Sequence, residues 1–128
     1  MQTNLSLGHV EAQKAILAIQ SELEHRGKAA VIAVADAHGE LIALLKLDGT
    51  PSASILIASN KAWTAARERK PSREIGQAAR DPRDGFDLAY FGDKRYIGWG
   101  GGLPVTVEGQ VVGAVAGSLP QRRSSPVN

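Results

Sequence analysis

The chain contains no cysteine, which excludes disulfides, iron–sulfur clusters and thiol chemistry. Aromatic residues make up only 5% of it. No stretch approaches the roughly eighteen consecutive apolar residues of a membrane span, so a membrane is not an expected partner. Neither sign of charge dominates: the formal net charge is +2, although the isoelectric point is about 9.2. The basic residues gather at Arg67-Glu68-Arg69-Lys70 with Arg73, at Arg80 and Arg83, and at Arg122-Arg123. They lack the interleaved aromatics of a nucleic-acid surface and read as solvated helix and loop charge. Nucleic acid is therefore not expected either. Met1-Gln2-Thr3-Asn4 has no basic-then-apolar profile of a signal peptide, which makes a cytoplasmic location the default expectation.

What is present is an ordinary globular composition, 43% hydrophobic over 128 residues, enough for one domain with a real core. The sequence predicts that domain over residues 1–118, with a disordered tail at 119–128. Its most informative stretch runs from Tyr96 to Ser118. Residues 105–107 and 111–116 are β-branched or small and are joined through Glu108-Gly109, a hairpin signal. Neither face of the outgoing strand is polar, so helices or another subunit must cover both. The glycines at Gly100, Gly101 and Gly102 mark either a structural turn or a loop that faces a ligand.

Upstream, Ala12, Ala15, Ile16, Ile19 and Leu23 recur at helical spacing over residues 6–26, with Ser6 as the expected N-cap. Residues 29–35 are a continuous apolar run and read as a buried strand. Asp36-Ala37-His38-Gly39 supplies the turn into a second strand at 40–47. A second, alanine-rich helix is expected at 55–69, capped by Ser52 or Ser54 and stopped by Lys70-Pro71. A short helix at 72–80 follows. Residues 88–91 and 95–99 read as two short strands. The order implies an α+β fold with one mainly antiparallel, five-stranded sheet and helices packed on it.

Several segments match one family in the right order: Ala33 to Leu41, Asp48-Gly49 with Ser54 beyond it, Lys61-Ala62-Trp63-Thr64-Ala65, Gly101-Gly102-Leu103-Pro104, and Gly109 to Ala114. Across about residues 5–118 the chain resembles the GlcG/HbpS family of small bacterial proteins, which includes the C-terminal domain of PduO-type proteins. The resemblance implies a profilin-like sandwich, assembly into symmetric homo-oligomers and, for some members, haem binding. It also implies an acidic, alanine-rich closing helix, whereas Ser118 is followed here by Leu119-Pro120-Gln121-Arg122-Arg123. Without that helix one sheet face needs a different cover, which favours oligomerisation.

A haem iron takes an axial His, Cys, Met or Tyr. Cysteine is absent and Met1 is the only methionine, so His9, on the first helical turn, is the candidate metal ligand. His25 at the helix end suits the dipole and His38 suits its turn. Tyr90 and Tyr96 are either oxygen ligands or packing. Lys61 is a candidate partner for a ligand carboxylate. Trp63 either stacks on a planar ligand or fills a subunit interface. Trp99 is the aromatic candidate for a pocket wall, Arg95 the nearest cation, and Gly101 and Gly102 the backbone that approaches the ligand. The expected pocket lies between the two long helices and the glycine-rich start of the strand. No nucleophile elbow, phosphate loop or zinc spacing is present. The leading expectation is a non-catalytic, oligomeric protein binding a planar or anionic small molecule such as haem. The alternative is an accessory enzyme acting on a small hydroxy acid, aldehyde or cofactor.

Overall fold

A computed structural model of the chain describes residues 5–118. The apolar run that reads as a buried strand becomes β1 (Val31–Asp36), and it is the centre of the molecule. Its alternate side chains serve two layers. Val31, Ala33 and Ala35 face one helix, while Ile32 and Val34 face another. Ile32 and Val34 are fully buried, and each contributes about 1.5–3 kcal/mol by leaving water.

Asp36 turns the chain into β2 (Leu41–Lys46). Its Oδ1 accepts from the backbone N–H groups of His38 (2.9 Å) and Glu40 (3.0 Å), an Asx arrangement that replaces backbone pairing within the turn. The second hairpin joins β3 (Gly102–Val107) to β4 (Gln110–Ser118). Glu108 and Gly109 both have positive φ, 52° and 77°, as a two-residue type I′ turn requires. β4 pairs with β1, so the sheet runs β2-β1-β4-β3 and every pairing is antiparallel.

The helices take opposite faces of this sheet. α1 (His9–His25) lays Ala12 and Ile16 on Ile32 and Val34. α2 (Ala53–Glu68) lays Ala58, Ala62, Ala65 and Ala66 on Val31, Ala33, Ala114 and Ala116. Alanines facing alanines bring this helix close to the sheet. α3 (Ser72–Ala79) follows after Arg69 turns left-handed at φ 59°. None of the described helices is long and apolar enough to cross a membrane.

Four sequence expectations need correction. The sheet has four strands rather than five. Leu88–Phe91 is a turn of 3₁₀ helix, capped by Asp87, whose Oδ1 accepts from Ala89 N–H at 3.0 Å. Residues 95–99 form no strand, because side chains of α2 and α3, not a sheet edge, satisfy their backbone. α1 starts after Gly8 rather than Ser6: Glu11 accepts the Gly8 N–H at 2.8 Å, while Ser6 Oγ accepts from Ala37 N–H at 3.0 Å. The expected disordered tail at 119–128 lies outside the described residues.

Candidate functional site

Lys61, Thr64 and Glu68 follow one another at helical spacing along one face of α2. Each addresses the next part of the segment 95–102. Glu68 Oε2 accepts from the Tyr96 hydroxyl at 2.8 Å. Thr64, fully buried, donates to the Arg95 carbonyl (3.2 Å) and accepts from Ile97 N–H (3.1 Å). Ser72, at the start of α3 and also fully buried, donates to the Trp99 carbonyl (2.6 Å) and accepts from Gly102 N–H (3.0 Å). Between these fastenings Gly98 crosses Gly76 so closely that a Cβ on Gly76 would stand 1.9 Å from the Gly98 oxygen.

Lys61 is the exception on this face. Its side chain is buried, at 7% exposure. Among the described residues its ammonium has no hydrogen bond, and the two ion pairs are Arg26–Glu22 and Arg95–Asp93. Burial holds its pKa below the usual lysine range, since a low-dielectric setting disfavours the charged form. The glycine run closes over it. A Cβ on Gly101, whose φ is +119°, would stand 3.3 Å from Lys61 Nζ, and one on Gly102 would stand 2.4 Å from the Lys61 carbonyl oxygen. Gly102 is therefore required by close approach to α2, and Gly101 by its positive φ and by the Gly117 oxygen of β4, from which its Cβ would stand 2.8 Å.

Outside the run lies an open cleft of about 560 Å³, lined on one side by Pro71, Arg73, Glu74 and Gln77 and on the other by Gly100 to Leu103. It sits between α3 and the start of β3. The two long helices are separated by the sheet, so the pocket expected between them does not form.

The structure gathers Lys61, Gly101 and Gly102, with Trp99 adjacent and 46% exposed. It sets Arg95 apart. That guanidinium grips Asp93 through Nη2 (2.9 Å) and Nε (3.1 Å) and lies 4.3 Å from the centre of the Trp63 ring. The contact holds the Asp93 carboxyl below its usual range. Trp63 itself is buried at 2% exposure, between Arg95, Arg67 and the edge of Tyr96. It is a core residue of this chain rather than a stacking platform or an interface filler. Its indole N–H has no partner among the described residues. Tyr90 is 88% exposed, and Tyr96 is committed to Glu68, with burial and that carboxylate raising its pKa. His9 is exposed on the first turn of α1, across the sheet from Lys61. No cluster of three or more metal-ligating side chains occurs among the described residues.

Sequence reasoning missed Ser72 as a fastening and saw it only as a helix start. The available signal was the Lys61, Thr64, Glu68 spacing, which puts three polar side chains on the same side of an otherwise alanine-lined helix.

This fold and chain have known counterparts. The chain is 33% identical over 115 residues to protein GlcG of Escherichia coli, covering 90% of this chain and 83% of that one. The crystal structure of Klebsiella pneumoniae protein ORFY superposes with a TM-score of 0.86 at 29% identity, over 94% of this chain and 83% of that one. The crystal structure of a PduOC:heme complex shares the fold, with a TM-score of 0.80 at 20% identity over 90% and 83%. The family model described as "Haem degrading protein HbpS-like" matches residues 7–120. The chain belongs to the HbpS-like family.

Proposed function

We propose that this chain is a non-catalytic, oligomeric binding protein for a planar, anionic small molecule, with haem or a related tetrapyrrole as the candidate. One observation carries the reading: a buried lysine with no anion among the described residues, beneath glycines that line a cleft. A buried charge is costly until it is paired. A ligand carboxylate supplies that pair and gains a charge-assisted hydrogen bond. The family's haem-related description and the haem complex of a fold neighbour support the choice of candidate.

The residues fit haem on its carboxylate side. Arg73 on the cleft wall is the cation that would meet a propionate directly, and Lys61 lies behind the glycine backbone of the opposite wall. The iron side is different, because no His, Met or Tyr lines the cleft. His9 is the available imidazole, and from the far face of the sheet it reaches such a ligand only as a neighbouring copy's residue. Haem, when bound, supplies an iron with its own ligand and redox chemistry; the chain supplies charge pairing and a wall. Oligomerisation is supported by the apolar strip that α1 leaves bare, where Leu103 is 53% exposed beside Val105 and Val115.

A hemin titration tests the reading. The expected outcome is a sharpened Soret band saturating at one site per subunit. Affinity should fall about tenfold in Lys61→Met, the scale of one lost charge-assisted bond, and the sharpening should vanish in His9→Ala. A broad, unsaturable shift that is the same in all three proteins contradicts it.

A further inference from the structure

We propose that Trp63, Tyr96 and Glu68 form an electron–proton relay: an oxidising hole on Trp63 is filled by an electron from Tyr96 while the phenolic proton passes to Glu68. This reading is separate from ligand binding in the cleft and does not depend on it.

The three side chains stand in contact. The rings of Trp63 and Tyr96 meet edge to face with centroids 4.8 Å apart, so an electron crosses a single van der Waals contact. The Tyr96 hydroxyl donates to Glu68 Oε2 at 2.8 Å, within reach of direct proton transfer. Trp63 has no such acceptor: its indole N–H is buried and unpartnered among the described residues. An indole that gives up an electron there keeps its proton and stays a cation, and a buried cation is costly. The Arg95 and Arg67 guanidiniums, 4.3 and 5.3 Å from the ring centre, raise that cost by like-charge repulsion. Asp93 offsets part of the Arg95 charge, whereas Arg67 has no ion pair among the described residues. At Tyr96 the same loss leaves a neutral phenoxyl, because the proton has a base beside it. The hole therefore runs from Trp63 to Tyr96.

Tyr96 is also where it stops. The next rings are Phe91, at 4.8 Å, and Phe86 beyond it at 5.1 Å, and a phenyl group does not yield an electron to a phenoxyl. Tyr96 instead lines an open groove of about 480 Å³ between Leu88 and Lys94, where a small reductant reaches it.

The steps balance. A one-electron oxidant of the peroxide-derived radical class takes one electron from Trp63 and leaves as its anion. Trp63 recovers that electron from Tyr96, whose O–H bond breaks as its proton bonds to Glu68 Oε2. An ascorbate-type reductant in the groove returns one electron to Tyr96, becoming a stabilised radical itself, and Glu68 returns the proton. Oxidising equivalents thus drain from the buried face of α2 to the surface, and no side chain is left altered.

The test is flash photoionisation of the full chain carrying Trp99→Phe. An ultraviolet pulse absorbed by indole then ejects an electron from Trp63, the remaining one of two tryptophans, and dissolved nitrate scavenges it. The expected outcome is a tryptophan radical-cation absorption that decays as a tyrosyl band rises, in one step that slows in deuterium oxide. Tyr96→Phe should abolish the rise and leave the Trp63 radical long-lived. Glu68→Gln keeps a side chain of the same shape but is a poor base, and should slow the step several-fold. Tyr90→Phe, at the other tyrosine, should change nothing. Near-ultraviolet circular dichroism checks that each variant keeps its ring packing. A parent chain in which no tyrosyl band forms overturns the proposal, as does a band that survives Tyr96→Phe or rises at the parental rate in Glu68→Gln.

Discussion

At the scale of single residues, burial and charge conflict at Lys61. Its folded-state pKa lies below the ordinary lysine value because of desolvation. The unfolded chain therefore binds more protons between the lowered value and the ordinary one, and stability rises with pH across that window. Below the window the full cost of the buried ammonium is present. Lys61→Met keeps the stem and removes the charge, so it should be more stable than the parent in urea at neutral pH. The difference should shrink as pH climbs through the alkaline window. A variant less stable at neutral pH would show that the ammonium already has a partner. A desolvated lysine in an alanine-lined helix is what a binding role explains.

At the scale of elements, α2 and α3 act as a template on which residues 95–102 are laid down. Ser72→Ala leaves the Gly102 N–H without its acceptor, and Thr64→Val does the same to Ile97. Each should cost about 1–3 kcal/mol in urea unfolding, the penalty for an orphaned buried donor. Ser72→Ala should also weaken hemin binding, since it frees the glycine run that covers Lys61. Unchanged stability in both variants would contradict the template. The helices and the four strands were legible in the sequence because period and turn chemistry agree locally, as at Asp36 to Gly39 and Glu108-Gly109. Residues 95–99 were not legible. Their partners stand about thirty positions away on α2 and α3, and a short apolar stretch with tyrosine and tryptophan imitates a strand. Gly101 and Gly102 were recognisable as a site of close approach, but not what they approach.

At the scale of the whole molecule, the final hairpin has two apolar faces, and their covers are unequal. α2 takes one face across β1, β3 and β4, while α1 lies over β1 and β2 on the other. Leu103 and its neighbours are left without a helix. The same arrangement explains why the sequence grouped His9 with Lys61 and the fold does not: amphipathicity tells that a helix packs on a sheet, not on which face. Sedimentation at micromolar concentration should find an oligomer, and Leu103→Glu should release a smaller species that is still folded by circular dichroism. A monomeric parent chain would remove the assembly, and with it any shared role for His9.

The Lys61 ammonium under the glycine run can be observed directly by following the side-chain ¹⁵Nζ and ¹³Cε signals of all lysines through a pH titration, with and without a saturating anionic porphyrin. The account predicts that Lys61 loses its proton before the other five in the free protein and after them once the porphyrin carboxylate is seated. A Lys61 that titrates with the exposed lysines, and does not move when the ligand is added, would contradict it.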